Sequence, residues 1–244
     1  MSEGIGKINV YYYTIFALII TAVAGLFFIG LNYSFILQLV LIPVVTQAAD
    51  VIIKRMRFGK LSYSPSATIT GLILAMVLPS VPVYVQIIVG LVAIIQKHII
   101  RISGRHIFNP AAFGLLFAWI VFGNAPAWWA AATPAVFLFL FSDYLIGRLP
   151  LSMTFYLVYV ALVSGFSYFT IGVFSLGILS YPLLFFAAVM VVEPRTSTVT
   201  KKGMVMEGAL LALGISIIQQ FVPIDLFIPM LLLMNVIVHF RVLK

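Results

Sequence analysis

A stretch in the middle of the chain, Arg105–Gly114, combines side chains that could bind an anionic group. Asn109 can accept hydrogen bonds from the free N–H groups of a starting helix, and Pro110, which has no N–H, suits the first helical position. Four basic residues precede this helix start: Lys97, Arg101, Arg105 and His106. Because the positive end of a helix beside basic groups favours an anion, we take Arg105, His106 and Asn109 as candidate binding residues. A capped helix beside topology-determining charges is the simpler alternative.

Two further clusters carry hydroxyl groups at positions that could meet a ligand. The segment Ser64–Gly71 combines hydroxyls with small residues that permit close helix packing. Its candidate binding residues are Ser66, Thr68 and Thr70. The other cluster, residues 195–202, contains hydroxyl side chains between basic residues, and this composition suits the binding of a phosphate group. Its candidates are Arg195, Thr196, Ser197, Thr198 and Lys202. A solvated loop would have the same composition, so that alternative stays open.

The remaining titratable residues argue against a catalytic or metal centre. The chain contains six acidic residues, three His and no Cys, and no two His are spaced i,i+4, so we predict no catalytic residue and no metal site. Asp50 precedes Lys54 by one helical turn, which predicts a local ion pair. Asp143 lies close to Arg148, and we expect its carboxylate to reach the surface at the end of its segment. No acid lies at the middle of an apolar segment, so no relay of buried carboxylates is expected.

The elements that position these residues are strongly apolar. Of the 244 residues, 64% are hydrophobic and 8% are charged, which excludes an ordinary soluble domain, where about 25% are charged. The net charge of +8 comes from Lys and Arg residues scattered singly between apolar runs, which argues against nucleic-acid binding. No small-residue cleavage site follows the first apolar run, so we expect no cleaved signal peptide. The sequence therefore predicts a multi-pass protein of the lipid bilayer.

Ten apolar segments predict an all-α membrane protein that forms one integral membrane domain over residues 1–244. The segments are 10–30, 34–53, 64–80, 83–97, 109–123, 127–146, 150–169, 173–192, 204–221 and 226–240. Connectors rich in Lys and Arg alternate with connectors that contain neither. Lys7 precedes the first segment, and Arg241 and Lys244 follow the tenth. By the positive-inside rule, both termini are expected to be cytoplasmic.

Two sets of five segments would enter the membrane from opposite sides, which is the arrangement of an inverted repeat. The repeats would cover about residues 1–124 and 125–244. Segments 64–80 and 109–123 open with Ser-Pro and Asn-Pro, so we expect half-spanning helices that line an enclosed cavity. Tilted full spans are the alternative.

At the three clusters the sequence resembles the RnfD/NqrB family. Ser66–Pro79 is similar to the family's S-A-x-x-T-G-L-x-L-A-x-x-L-P run, and Ile107–Ala111 is similar to its F-N-P-A loop. Glu193–Ser197 is similar to its D-P-x-T-S loop, and Lys202-Gly203 and Gly208-Ala209 match the basic-Gly and Gly-Ala pairs that follow that loop. Their order and approximate spacing agree over about residues 60–215.

The resemblance implies two inverted five-helix repeats with a urea-transporter-like fold in a prokaryotic plasma membrane. It also implies an integral subunit of an electron transport complex that binds flavin and couples electron transfer to Na+ or H+ movement. Such a chain would be part of an ion-translocating oxidoreductase without being catalytic alone, and the other membrane subunits would supply further redox centres. Whether the chain also forms a homo-oligomer is left open.

One departure from the family pattern concerns the cofactor. Members with covalent FMN carry an extracytoplasmic S-G-A-T motif, which this sequence lacks. We therefore expect FMN or riboflavin to be bound noncovalently, framed by the three clusters. The alternative function is a channel or carrier for a small solute, flavin or urea-like, on the same scaffold without redox chemistry.

Overall fold

A computed structural model describes residues 9–174 and 180–240. Within these residues the chain forms ten α-helices, one π-helix, two 3-10 turns and one short hairpin. The elements are α1 (Val10–Ile29), α2 (Tyr33–Phe58), α3 (Pro65–Val77), α4 (Val83–Ile99), β1 (Arg101–Ile102), β2 (Arg105–His106), α5 (Pro110–Phe122), 3-10 turns at Trp129–Ala131 and Pro134–Phe137, α6 (Leu138–Leu145), α7 (Leu149–Ile171), α8 (Tyr181–Phe185) continuing as a π-helix (Phe186–Val191), α9 (Lys201–Ile218) and α10 (Phe227–His239). Lys7, Arg241 and Lys244 lie outside the described residues, and the location of the termini stays a prediction.

Each of the ten predicted segments contains one of these helices, as expected for an all-α membrane protein. Three helices, α1, α2 and α7, are long and apolar enough to cross a membrane. In contrast, α3, α5 and α10 have 13 residues each. A helix of that length measures roughly 20 Å, whereas the hydrocarbon core of a bilayer is about 30 Å thick. The short helices therefore depend on packing against the longer ones.

Two predicted segments are helical over only part of their length. The segment 127–146 was predicted as one span, but α6 begins only at Leu138, after two 3-10 turns. Pro134 interrupts backbone hydrogen bonding, and Trp128 has a left-handed backbone with φ 51°. The segment 173–192 was also predicted as one span, but α8 begins at Tyr181. Ser180 caps this start by accepting a hydrogen bond from the N–H of Leu183 at 3.4 Å.

Two further differences occur where the chain is basic. Helix α2 continues to Phe58, five residues past the predicted end at residue 53. Arg55 and Arg57 in its last turn interact favourably with the negative end of the helix dipole, and Gly59 ends the helix with φ 67°. Between α4 and α5, β1 and β2 form a hairpin that the all-α prediction did not contain.

The helix contacts can be described for each half of the chain in turn. In the first half, α2 contacts α3 and α4, α4 contacts α5, and α1 contacts α3. In the second half, α7 contacts the π-helix and α9, α9 contacts α10, and α6 contacts the π-helix. The halves meet where α1 contacts α6 and where α5 contacts α10. One buried apolar cluster extends through both halves.

The C-terminal carbonyl groups of α3 receive hydrogen bonds from elements on either side of it in the sequence. Gln38 of α2 donates to the carbonyls of Ala75 and Leu78 at 2.9 and 3.1 Å. Trp129, in the first 3-10 turn, donates to the carbonyl of Ala75 at 2.9 Å, and the N–H of Ala127 donates to Val77 at 2.7 Å. The end of this half-length helix is therefore satisfied inside the protein.

The connectors gather at two ends of the helix bundle. At one end, connectors without Lys or Arg contact each other through Ser34 and Ser80 (2.6 Å) and through Trp128 and Asp225 (2.8 Å). At the other end, connectors with basic residues meet through Arg57 and the carbonyl of His98 (2.9 Å) and through His106 and Glu193 (2.9 Å). We call the second end the basic end. That it faces the cytoplasm stays a prediction.

Candidate functional site

Asn109 begins α5 as the sequence predicted. Its side-chain oxygen accepts a hydrogen bond from the N–H of Ala112 at 3.0 Å, and Pro110 occupies the first helical position. The side-chain N–H of Asn109 donates to the carbonyl of Met190 at 3.0 Å, and its backbone N–H donates to Asn235 at 2.9 Å. Asn109 is buried, so these bonds join α5 to the π-helix and to α10 in the protein interior.

Beside this helix start lies a cavity of about 240 Å³, which we call the main cavity. Its walls come from the first turns of α1, α3 and α5, from the end of α6 and from the end of the π-helix. Apolar walls include Ile69, Ile73, Phe139, Val189 and Val192. Five of the predicted binding residues line it: Ser66, Thr70, His106, Asn109 and Arg195. The structure thus brings together members of all three sequence clusters, which are separated by as many as 129 residues in the chain.

Three other predicted binding residues lie outside the main cavity. The hydroxyl of Thr68 is within hydrogen-bonding distance of the Tyr63 hydroxyl (3.0 Å) and the Gln47 side-chain amide (3.3 Å). Arg105 and Lys202 are both exposed to solvent. Neither residue lines the main cavity.

The hydroxyls of Thr196, Ser197 and Thr198 are engaged in hydrogen bonds within the protein. The Ser197 hydroxyl accepts a hydrogen bond from Arg148 at 2.9 Å and donates to the carbonyl of Glu193 at 2.7 Å. Both the N–H and the hydroxyl of Thr198 donate to Glu207 at 2.8 Å. Burial lowers the pKa of the Arg148 guanidinium, and the nearby Glu207 carboxylate opposes that shift. This network holds Glu193 and Arg195 at the cavity.

At the edge of the main cavity His106 and Glu193 form a pair, with 2.9 Å between the imidazole Nε2 and the carboxylate. The His106 side chain is buried, whereas Glu193 is partly exposed. The pair connects the hairpin before α5 to the loop after the π-helix. It therefore fixes two of the predicted clusters against each other.

Asp143 is a cavity residue whose environment the sequence did not predict. We expected its carboxylate to reach the surface near Arg148, but the side chain is fully buried and lines the main cavity. The expectation was wrong because the Arg148 guanidinium instead contacts Ser197, Thr198 and Pro194. Neither carboxylate oxygen of Asp143 has a hydrogen-bond partner among the described residues. Such a group is costly to bury and therefore marks a site that a ligand would complete.

Two other acids, Asp50 and Glu207, are also fully buried. The predicted Asp50–Lys54 ion pair is confirmed, with 2.7 Å between the charged atoms. His98 lies 2.9 Å and Lys97 lies 3.6 Å from the same carboxylate. Unlike Asp143, Asp50 is thus compensated by several protein groups.

A second cavity of about 220 Å³ surrounds this Asp50 cluster at the basic end, and we call it the basic cavity. Four of its lining residues carry a positive charge: Lys54, Lys97, Arg101 and Arg195. It shares Ser66, His106 and Arg195 with the main cavity. The two cavities therefore adjoin, one with mainly apolar walls and the other with mainly basic walls.

Comparison with known proteins gives one match. A family model described as the NQR2, RnfD, RnfE family matches residues 5–154, which is more than half of the chain. The matched region contains α1 to α6, including Ser66, Asn109 and Asp143. No curated protein matches the chain.

Proposed function

Because the chain belongs to the NQR2, RnfD, RnfE family, whose members are membrane subunits of Rnf- and Nqr-type complexes, we propose that it binds flavin noncovalently in the main cavity. In this proposal the flavin, FMN or riboflavin, supports electron transfer across the membrane, coupled to Na+ or H+ movement. A bound flavin supplies the redox chemistry, and the protein supplies position and electrostatics. Other subunits of the complex would provide the remaining redox centres.

The observation that carries this proposal is the composition of the main cavity. Its walls combine apolar side chains with a few polar groups, as is usual for sites that bind small organic molecules. A flat aromatic ring system fits between the apolar residues of α3, α6 and the π-helix. The unpartnered carboxylate of Asp143 can accept hydrogen bonds from ring N–H or ribityl O–H groups. The starts of α3 and α5 present positive helix ends to the electron-rich parts of the ligand.

The packing of the helices supports the proposed inverted repeat. If α1 to α5 correspond in order to α6 to α10, the contacts within one half have counterparts in the other. Three of the five pairs also have similar lengths, with 26 and 23 residues in α2 and α7, 17 and 18 in α4 and α9, and 13 in both α5 and α10. The other two pairs differ, because α6 and α8 have only 8 and 5 residues. A cavity between half-length helices at the repeat interface is where transporters of this architecture bind ligands.

The first test is the cofactor content of the protein. Purified together with its partner subunits from a flavin-replete host, the preparation is expected to be yellow, with flavin released on denaturation. Intact mass spectrometry of the chain should give the mass of the unmodified polypeptide, because a noncovalent flavin is lost. A colourless preparation would reject the proposal, and a covalent flavin adduct would reject the noncovalent mode.

Asp143→Asn tests the role of the buried carboxylate. If the carboxyl group of Asp143 hydrogen-bonds the flavin, replacement by an amide should weaken flavin binding about tenfold, because the amide has one acceptor oxygen where the carboxyl has two. The flavin-free variant should change little in stability, because a carboxyl group buried without a charged partner is already neutral. Flavin titration and thermal unfolding measure the two effects.

Asp50→Asn is the matched control, because Asp50 is equally buried but has protein partners. It should lose stability, since Lys97 and Lys54 would lose their counter-charge. If Asp143→Asn lost stability in the same way, Asp143 would be a structural residue and the proposed contact would be rejected.

The second candidate function is a carrier for a small solute, and the cavity between half-length helices favours it as well. The two functions differ in their need for partners. Reconstituted alone in liposomes, a carrier would transport riboflavin or urea without other subunits. A subunit of an electron transport complex would show no such flux.

A further inference from the structure

We propose that the basic cavity binds a phosphoryl group, so that the ligand of this site is FMN in preference to riboflavin. The inference rests on the proposed function, because it concerns how the flavin of the main cavity extends beyond it. Riboflavin and FMN differ only in the terminal phosphate. The chemistry of the basic cavity therefore decides between the two ligands.

The first argument is the continuity of the two cavities. Ser66, His106 and Arg195 line both of them, so a ligand can extend from one into the other. The cavities measure about 240 and 220 Å³. Each alone is smaller than the roughly 300–1,000 Å³ usual for small-molecule sites, whereas the two together fall within that range. A ligand with an apolar ring system at one end and an anion at the other matches both parts.

The second argument is the charge of the basic cavity. Its lining contains four basic side chains and one carboxylate, Asp50, which leaves an excess of positive charge. The chain has only 14 Lys and Arg residues, so four at one cavity is a marked concentration. A cavity lined mainly by charges of one sign raises the local concentration of ions of the opposite sign. The cavity is therefore suited to a group with more than one negative charge.

The third argument is how the hydrogen-bonding groups of these cations are used. Asp50 already binds Lys54 and His98, and Lys97 donates to the Ser66 hydroxyl at 2.6 Å. Arg101 donates to the carbonyl of Gly104 through one terminal nitrogen, but its Nε is buried without a partner. Arg195 makes no hydrogen bond to another described residue. Two guanidinium groups thus keep free donors, and guanidinium is the side-chain group that best matches phosphate oxygens.

The direct test compares the affinities of flavin-free protein for FMN and riboflavin, measured by quenching of flavin fluorescence on titration. FMN is expected to bind at least about tenfold more tightly, with a preference that decreases as salt is added. Arg101→Gln, at a residue that lines only the basic cavity, should reduce the affinity for FMN and leave the affinity for riboflavin nearly unchanged. Arg195 lines both cavities, so Arg195→Gln should reduce the affinity for FMN more than the affinity for riboflavin. Lys60→Gln is the matched control, because Lys60 is exposed in the connector before α3 and lines neither cavity.

The outcomes separate this inference from the proposed function. Equal affinities for the two flavins would overturn the phosphoryl site while leaving flavin binding intact. Absence of binding by either flavin would overturn both.

An anionic lipid headgroup also carries a phosphate, so the titration is repeated in nanodiscs of phosphatidylcholine with and without phosphatidylglycerol. A preference for FMN in both supports the inference, whereas a preference abolished by phosphatidylglycerol would assign the basic cavity to lipid.

Discussion

Replacing Asn109 with leucine is expected to abolish flavin binding and to lower the free energy of unfolding by roughly 2–4 kcal/mol. The variant loses the helix cap on Ala112 and leaves the carbonyl of Met190 buried without a donor. Because the same side chain joins α5 to the π-helix, two walls of the main cavity would separate. The flavin-to-protein ratio and thermal unfolding in detergent measure the two losses.

Two control variants distinguish the helix cap on Ala112 from the hydrogen bond between Asn109 and Met190. The exposed side chain of Asn32 caps α2 by accepting one hydrogen bond from the N–H of Ser34 at 2.9 Å, and it makes no second hydrogen bond to the part of the chain that the structure describes. Asn32→Leu should therefore cost only about 1 kcal/mol and leave flavin bound. Asn109→Ser keeps a side-chain acceptor for the N–H of Ala112 and removes the amide donor to Met190, so it tests the link between helices without adding a charge. If Asn109→Leu kept its flavin and lost only the roughly 1 kcal/mol of a cap, Asn109 would be a helix cap and nothing more.

Gly71→Ala is expected to have a comparable effect through steric overlap. Helices α2 and α3 cross so closely that a Cβ at position 71 would lie 2.5 Å from the Cα and 2.9 Å from the N of Pro43, and would also overlap the Thr46 hydroxyl. Two of these atoms belong to the backbone of α2, so α3 must move. Overpacking of this kind costs about 1–3 kcal/mol or more. It would also displace Ser66 and Thr70 from the cavity wall.

The matched control is Gly165→Ala in α7, where an added Cβ meets no other atom within 4 Å. That variant should be neutral or more stable by up to about 1 kcal/mol, because alanine favours a helix. Size-exclusion elution and thermal unfolding in detergent distinguish the two variants. Equal stability of Gly71→Ala and the unsubstituted protein would contradict the close crossing of α2 and α3.

The sequence predicted the membrane class, the number of helices and the family, and the family match over residues 5–154 confirms the resemblance. These features follow from local information, namely long apolar runs and short motifs. The start of α5 at Asn109-Pro110 was predicted for the same reason, because a helix cap involves residues only a few positions apart. The early end predicted for α2 was wrong, since its last turn is basic and amphipathic rather than apolar.

The parts of the site that depend on distant contacts could not be predicted. Asn235 lies 126 residues from Asn109, and no local pattern indicates that the two side chains meet. Asp143 was expected at the surface because Arg148 is close in sequence, yet the loop after the π-helix binds that arginine instead. Likewise, the hydroxyls of Thr196–Thr198 suggested a ligand, but the acceptors and donors that use them, Glu207 and Arg148, come from other elements.

The hydrogen bonds at the C-terminal end of α3 also bear on how the chain is made. During synthesis α3 leaves the ribosome before Ala127 and Trp129, which later satisfy its terminal carbonyls. A helix of 13 residues is also too short to cross the bilayer alone, so the insertion machinery has little reason to release it early. We therefore expect the first five helices to remain incompletely folded until translation has passed residue 129. The 3-10 turn at Trp129–Ala131 would then belong to the same cotranslational folding unit as α1 to α5.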